Sequence, residues 1–121
     1  MRLTTIPGVG HYLALLLVAE IGDVHRFPDA EKICSSMGIV PSVRQSGNHT
    51  VYGPITKEGS KWVRWALTQA VHAHVRYDTR LTRFYRRLAK AKGTQVATVA
   101  TARKMLTVIY WMLKNQEPYR P

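Results

Sequence analysis

Ser46 and the basic residues around it are the side chains whose types could do chemistry. Ser46 precedes Gly47, where the backbone can bend sharply and the hydroxyl can be exposed. Arg44 lies two residues earlier, and Lys57 and Arg64 could converge on the same phosphate group. Phosphoryl transfer depends more on charge neutralisation and alignment than on a strong local base. The pattern is therefore compatible with Ser46 as a nucleophile and with Arg44, Lys57 and Arg64 as stabilisers of developing charge.

Ser46 also has a simpler interpretation. A serine before a glycine often hydrogen-bonds to its own backbone in a turn. The sequence places no Asp–His pair where it could activate this hydroxyl. Residue types alone favour the turn interpretation over catalysis.

The turn Ile6-Pro7-Gly8-Val9-Gly10 is a second candidate phosphate site. Two glycines spaced by one residue let a backbone approach a ligand closely. A helix is predicted to begin directly after them, so its unpaired N–H groups and positive dipole end face the same place. We predict that Gly8, Val9 and Gly10 bind backbone phosphates, as in a helix-hairpin-helix motif, which grips DNA without reading its sequence. The alternative is an ordinary tight turn between two packed helices.

Charge is distributed unevenly along the chain, whose formal net charge is +11. Residues 1–52 carry four basic and four acidic side chains, whereas residues 53–121 carry fourteen basic and three acidic ones, which gives 14 − 3 = +11. Such asymmetry points to a polyanion partner for the C-terminal half, and DNA is the partner we predict. A solubilising charged surface is the alternative.

A basic segment over residues 76–92 carries much of this charge. Arg76, Arg80, Arg83 and Arg87 follow helical spacing and are predicted to form one stripe that attracts DNA phosphates. A helix on a membrane surface would look similar, but the apolar face is narrow and fits the domain core better. A solvated helix face remains the other interpretation.

These candidates are predicted to lie on one mainly α domain over residues 1–121. It is a helix-hairpin-helix followed by an irregular segment at 39–57 and three longer helices, with Thr50-Val51-Tyr52 as a possible short strand. Ser60, Asp78 and Thr94 are the predicted N-caps of the three longer helices. The predicted helices span residues 11–21, 29–36, 60–76, 79–91 and 95–114.

Two apolar stripes are predicted on the longer helices. One combines Trp62, Ala66, Ala70 and Ala73, with Trp65 beside it, and its alanines suggest close helix packing. The other, on the last helix, is predicted to form core or an interface for an oligomer. It consists of Ala102, Met105, Leu106, Ile109, Met112 and Leu113.

Cys34 is the only cysteine, so an internal disulfide is excluded, and a reduced, cytoplasmic setting is predicted. We expect no metal site and no cofactor in this chain. The longest apolar run, Tyr12 to Ala19, is eight residues and too short to span a bilayer, so no membrane partner is predicted.

Several segments together resemble the C-terminal domain of the insertion-sequence 116/110/902 transposase family over nearly the whole chain. The order and spacing of these segments are specific to the family, although each segment alone would be weak evidence of the resemblance. The matching segments are residues 3–10, Ala19-Glu20-Ile21-Gly22-Asp23, Arg26-Phe27, Gly38-Ile39-Val40-Pro41-Ser42, Gln45-Ser46-Gly47, Ile55-Thr56-Lys57-Glu58-Gly59-Ser60, Arg64, Leu67 and Phe84-Tyr85.

This resemblance implies a role for Ser46 that residue types alone do not support. Enzymes of the family combine an acidic, RuvC-like N-terminal domain with a C-terminal domain that supplies a serine nucleophile. They cut and rejoin DNA through a serine–DNA link, guided in characterised members by a structured RNA. The serine of the Ser-Gly pair corresponds to Ser46.

The resemblance also implies parts that this sequence lacks. No acidic metal-binding domain is present, so Mg²⁺ is expected in a missing N-terminal domain, and oligomerisation is expected of the full-length protein. The chain is thus interpreted as a fragment of a DNA recombinase. A non-catalytic DNA-binding module and a decayed transposase remnant remain the alternatives.

Overall fold

The computed structural model describes residues 2–39 and 58–119, and it is mainly helical, which confirms the predicted fold class. Residues 40–57, with Ser46 and the possible strand at 50–52, lie outside the described residues. Two short 3₁₀ helices, Arg2–Thr5 and Val24–Arg26, accompany five α-helices in the described parts. These are α1 (His11–Ile21), α2 (Ala30–Ser36), α3 (Glu58–His74), α4 (Arg80–Lys92) and α5 (Thr94–Asn115).

The helix boundaries correct all three predicted N-caps. Thr79, not Asp78, caps α4, because its hydroxyl accepts a hydrogen bond from the N–H of Thr82 at 3.2 Å. Ser60 lies inside α3, which begins at Glu58. At α5 the N-cap position is Gly93, and Thr94 is already helical.

Helix α5 lies at the centre of the fold and contacts α2, α3 and α4. The buried Tyr110 at its C-terminal end donates a hydrogen bond from its hydroxyl to the carbonyl oxygen of Phe27 at 2.8 Å. The predicted apolar stripe of α5 is core, buried throughout except at the half-buried Leu113. This stripe is therefore not an exposed interface, because α2, α3 and α4 cover it.

The predicted stripe on α3 is partly wrong. Ala66 and Ala70 are buried, but Trp62 and Trp65 are 49% and 44% exposed. Val63, Leu67 and Val71 face the core instead, so the buried side of α3 is rotated away from both tryptophans.

Cys34 is buried between α2 and α5, 3.9 Å from the Thr107 hydroxyl. Burial raises the pKa of its thiol, which disfavours the reactive thiolate form. Within residues 2–39 and 58–119, no three metal-ligating side chains come together. Among the described helices, none is long and apolar enough to cross a membrane.

Candidate nucleic-acid interface

The turn at residues 6–10 is built by a short chain of backbone hydrogen bonds. The Ile6 N–H donates to the Leu3 carbonyl at 3.1 Å, and the Val9 N–H donates to the Ile6 carbonyl at 3.0 Å. The side chains of Leu3, Ile6 and Val9 are all buried and anchor the turn in the core. The 3₁₀ helix Arg2–Thr5 directly precedes this turn.

Gly8 packs against the C-terminal end of α3. Its φ is +94°, a conformation that side chains disfavour. A Cβ atom on Gly8 would lie 2.6 Å from the backbone nitrogen of His74 and 2.9 Å from the carbonyl carbon of Ala73. The close approach expected at this glycine is thus an approach to α3, and it fixes the turn on that helix.

In contrast to Gly8, Gly10 and the start of α1 are exposed. Gly10 has φ −89°, and a Cβ atom there would meet nothing within 4 Å. Gly10, His11 and Tyr12 are exposed, and no described side chain caps the helix. The first intrahelical bond runs from the Ala14 N–H to the Gly10 carbonyl at 3.0 Å, so the amides before Ala14 make no bond within the helix. Because the Val9 N–H already bonds to Ile6, the amides best placed for an anion are those from Gly10 onward.

Two exposed arginines lie close in sequence to the residues where the turn, α3 and α4 meet. His74 contacts Gly8, and Arg76 follows His74 by two residues. Thr79 bonds to the His74 ring at 2.6 Å, and Arg80 follows Thr79 directly. Arg76 and Arg80 are both exposed. Arg76 and Arg80 are therefore attached to the backbone next to the residues that contact the turn before α1 or bond to them.

The predicted arginine stripe needs two corrections. Arg76 lies in the turn between α3 and α4, so it does not continue the α4 face by helical periodicity. Arg83 forms an ion pair with Asp78, with 2.9 Å between Nη1 and Oδ1. Arg80 and Arg87 are exposed on α4, whereas Arg86 donates to the carbonyl of Val75 at 3.3 Å.

Arg64 is the only described member of the predicted catalytic group, since Ser46, Arg44 and Lys57 lie outside the described residues. Its Nη1 donates to the Met37 carbonyl at 3.4 Å and would lie 2.8 Å from a Cβ atom on Gly38. Arg103 of α5 donates to the Ile39 carbonyl at 3.0 Å. Two guanidinium groups thus hold the backbone that leads from α2 toward residue 40.

Arg103 and His74 are positions that sequence reasoning missed. An arginine within the apolar α5 pattern and a histidine among the buried positions of α3 were the available signals. Neither residue type indicates its hydrogen-bond partner, because the partners are backbone carbonyls far away in the sequence.

Comparison of the sequence with known proteins identifies its family. The "Transposase IS116/IS110/IS902 family" matches residues 1–86 of the chain. The chain belongs to this transposase family. The match covers the turn, α1, α2, α3 and the first half of α4.

Curated relatives of this transposase domain are considerably longer. The chain is 34% identical to the transposase for insertion sequence element IS1111A of Coxiella burnetii, over 98% of the chain and 34% of the relative. It is 31% identical to the pilin gene-inverting protein of Moraxella bovis, over 97% of the chain and 37% of the relative. The chain therefore spans about a third of the length of these relatives. No solved structure matches it.

Proposed function

We propose that this chain is the DNA-binding domain of a transposase or site-specific recombinase and that it holds DNA by its backbone phosphates. The observation that carries this proposal is the packing of Gly8 on the end of α3. That contact places the turn before α1 against the end of α3, two residues before the exposed Arg76. Family membership and the charge of +11 support the same partner.

The binding would combine two kinds of contact. Amides at the start of α1 would donate to one phosphate, which the helix dipole also attracts. Arg76, Arg80 and Arg87 would neutralise neighbouring phosphates and release counterions. Such contacts position a duplex but carry no sequence information. Target choice would then come from another part of the recombinase or, as the family resemblance implies, from a guide RNA.

The catalytic part of the proposal rests on the family resemblance. Ser46 Oγ would attack a DNA phosphorus atom, forming a serine–phosphate ester and breaking the bond to one DNA oxygen, which leaves as a hydroxyl with the serine proton. Attack by a DNA hydroxyl on the ester would rejoin the strand and restore the serine. Arg44, Lys57 and Arg64 would stabilise the charge on the phosphate oxygens. An acidic, Mg²⁺-binding domain and a second copy of the protein would complete the reaction.

A non-catalytic DNA-binding module, or a decayed transposase remnant, is the second candidate. The observation that favours the module is that the described turn and arginines would bind DNA without any of the predicted catalytic residues. The module would bind DNA through the same turn and arginines, and Ser46→Ala would change nothing. The remnant would fold without binding DNA.

Amide chemical shifts recorded while duplex DNA is added test the proposed contact. We expect the largest shifts at Gly10, His11 and Tyr12, because their N–H groups would meet the phosphate. Lys32 on α2 serves as an internal control and should shift little. Shifts confined to α2 or to the outer face of α5 would contradict the proposal.

The ion pair between Arg83 and Asp78 leads to a prediction about the basic face. Arg80→Gln should lower the salt slope of DNA binding by about 0.9, the loss of one phosphate contact, and Arg83→Gln should lower it less. Asp78→Asn should strengthen binding about two- to fivefold, because an exposed pair is weak and its removal frees Arg83 for a phosphate. Fluorescence anisotropy at several salt concentrations measures both effects. Equal slopes for the two arginine variants would contradict this assignment.

A further inference from the structure

His74 is a fully buried polar side chain at the junction of the turn, α3 and α4. Its Nδ1 lies 2.6 Å from the Pro7 carbonyl oxygen, and its Nε2 lies 2.6 Å from the Thr79 hydroxyl. Because a carbonyl oxygen only accepts, Nδ1 carries a proton and donates it to Pro7. Nε2 and the Thr79 hydroxyl then form the second hydrogen bond of the ring.

The hydrogen bonds continue into α4 and return to α3. The Thr79 hydroxyl oxygen accepts from the Thr82 N–H at 3.2 Å and lies 3.1 Å from the Thr82 hydroxyl. The Thr82 hydroxyl donates to the backbone carbonyl of His74 at 3.3 Å. Thr82 is fully buried and Thr79 is nearly so. A closed network therefore joins the turn at Pro7, the last residue of α3 and the first turn of α4.

This network joins two elements whose main packing partners differ. Helix α1 packs on α3, and α4 packs chiefly on α5. His74 adds a directional link between them, next to the place where the backbone of Gly8 touches its own backbone. Apolar packing tolerates small sliding movements, whereas two hydrogen bonds of 2.6 Å on one ring fix distance and angle together.

We propose that His74 is a positioning residue that sets the spacing between the phosphate-binding turn and the basic helix α4. This inference rests on the proposed function, because the spacing matters only if one DNA backbone contacts both elements. His74 does not touch DNA, since its side chain is fully buried. It acts through Pro7 on the turn and through Thr79 on the start of α4.

The test combines a distance with a binding measurement. Spin labels at Tyr12→Cys on α1 and Lys90→Cys on α4 report the spacing, since both side chains are exposed and the native Cys34 is buried. In His74→Leu we expect a broadened or shifted distance distribution without DNA. Unlabelled His74→Leu should bind duplex DNA about 2- to 30-fold more weakly. His74→Asn can still donate a hydrogen bond to Pro7. It should therefore restore part of the wild-type distance distribution and part of the DNA affinity.

Matched variants keep the test decisive. His72→Gln, two residues away and exposed, should leave the distance and the binding unchanged. If His74→Leu fails to fold, Thr79→Val breaks the same network at its other end, and Thr79→Ser retains the hydroxyl as its control. An unchanged distance distribution in the folded variant would overturn the positioning role, whether or not binding weakens. Absence of DNA binding by the wild-type protein would overturn the proposed function itself, whatever the labels show.

Discussion

Gly8→Ala is expected to lower the free energy of unfolding by about 2–5 kcal/mol, the sum of a disfavoured backbone conformation and an overpacked contact. The new Cβ would sit 2.6 Å from the His74 nitrogen, which is backbone and cannot rotate away. The turn would have to leave the end of α3, and DNA binding should weaken with it. Urea denaturation followed by circular dichroism measures the stability change.

Gly10→Ala is the matched control for this prediction. Its φ is −89° and its surroundings are open, so only a modest loss at the N-cap, within about 1 kcal/mol, is expected. Substitution by alanine should therefore lower the free energy of unfolding severalfold more at Gly8 than at Gly10. Similar stability losses for the two variants would contradict the placement of Gly8 against α3.

Ser46→Ala is expected to abolish the covalent protein–DNA adduct, with a loss of at least about 10³-fold, because no other group would replace the attacking oxygen. The measurement is a trapping assay followed by denaturing electrophoresis. It contains this chain, target DNA, a guide RNA and the acidic N-terminal part of a longer relative. Arg64→Gln should reduce the adduct without abolishing it, since it would remove charge stabilisation and the bond to the Met37 carbonyl but not the attacking oxygen.

Ser36→Ala is the control, because Ser36 is an exposed serine at the end of α2. Its adduct yield should equal that of the wild-type protein. An adduct of undiminished yield with Ser46→Ala would show that another residue is the nucleophile. Unchanged DNA binding by Ser46→Ala is expected in either case, because the proposed binding is by the turn and α4.

The helices were largely predictable from the sequence because apolar periodicity is a local signal. The spacing of Met105, Leu106 and Ile109 identified the buried side of α5 correctly. The caps were less predictable, since Asp78 and Thr79 are both good cap residues and the choice depends on a tertiary contact. Thr79 bonds to His74, which holds it in place, and Asp78 pairs with Arg83 instead.

The candidate site was predictable in part. The residue types of the turn indicated close backbone contact, but not that the contact of Gly8 is with α3. The predicted stripe also joined Arg76 to Arg80 by helical spacing, although the predicted helix boundaries already placed a break between residues 76 and 79; α3 ends at His74, so Arg76 lies between two helices. The role of Ser46 came from resemblance alone, since a serine beside a glycine is common in turns.

The salt dependence of DNA binding tests the central claim most directly. The combined variant Arg76→Gln, Arg80→Gln, Arg87→Gln should lower the slope of log Kobs against log salt by about 2.7, or three contacts of about 0.9 each. Lys32→Gln, a charge removed from α2, should leave the slope nearly unchanged. Two duplexes of unrelated sequence should give the same wild-type slope, because phosphates carry no sequence information. A combined variant that keeps the wild-type slope would contradict phosphate binding by these arginines.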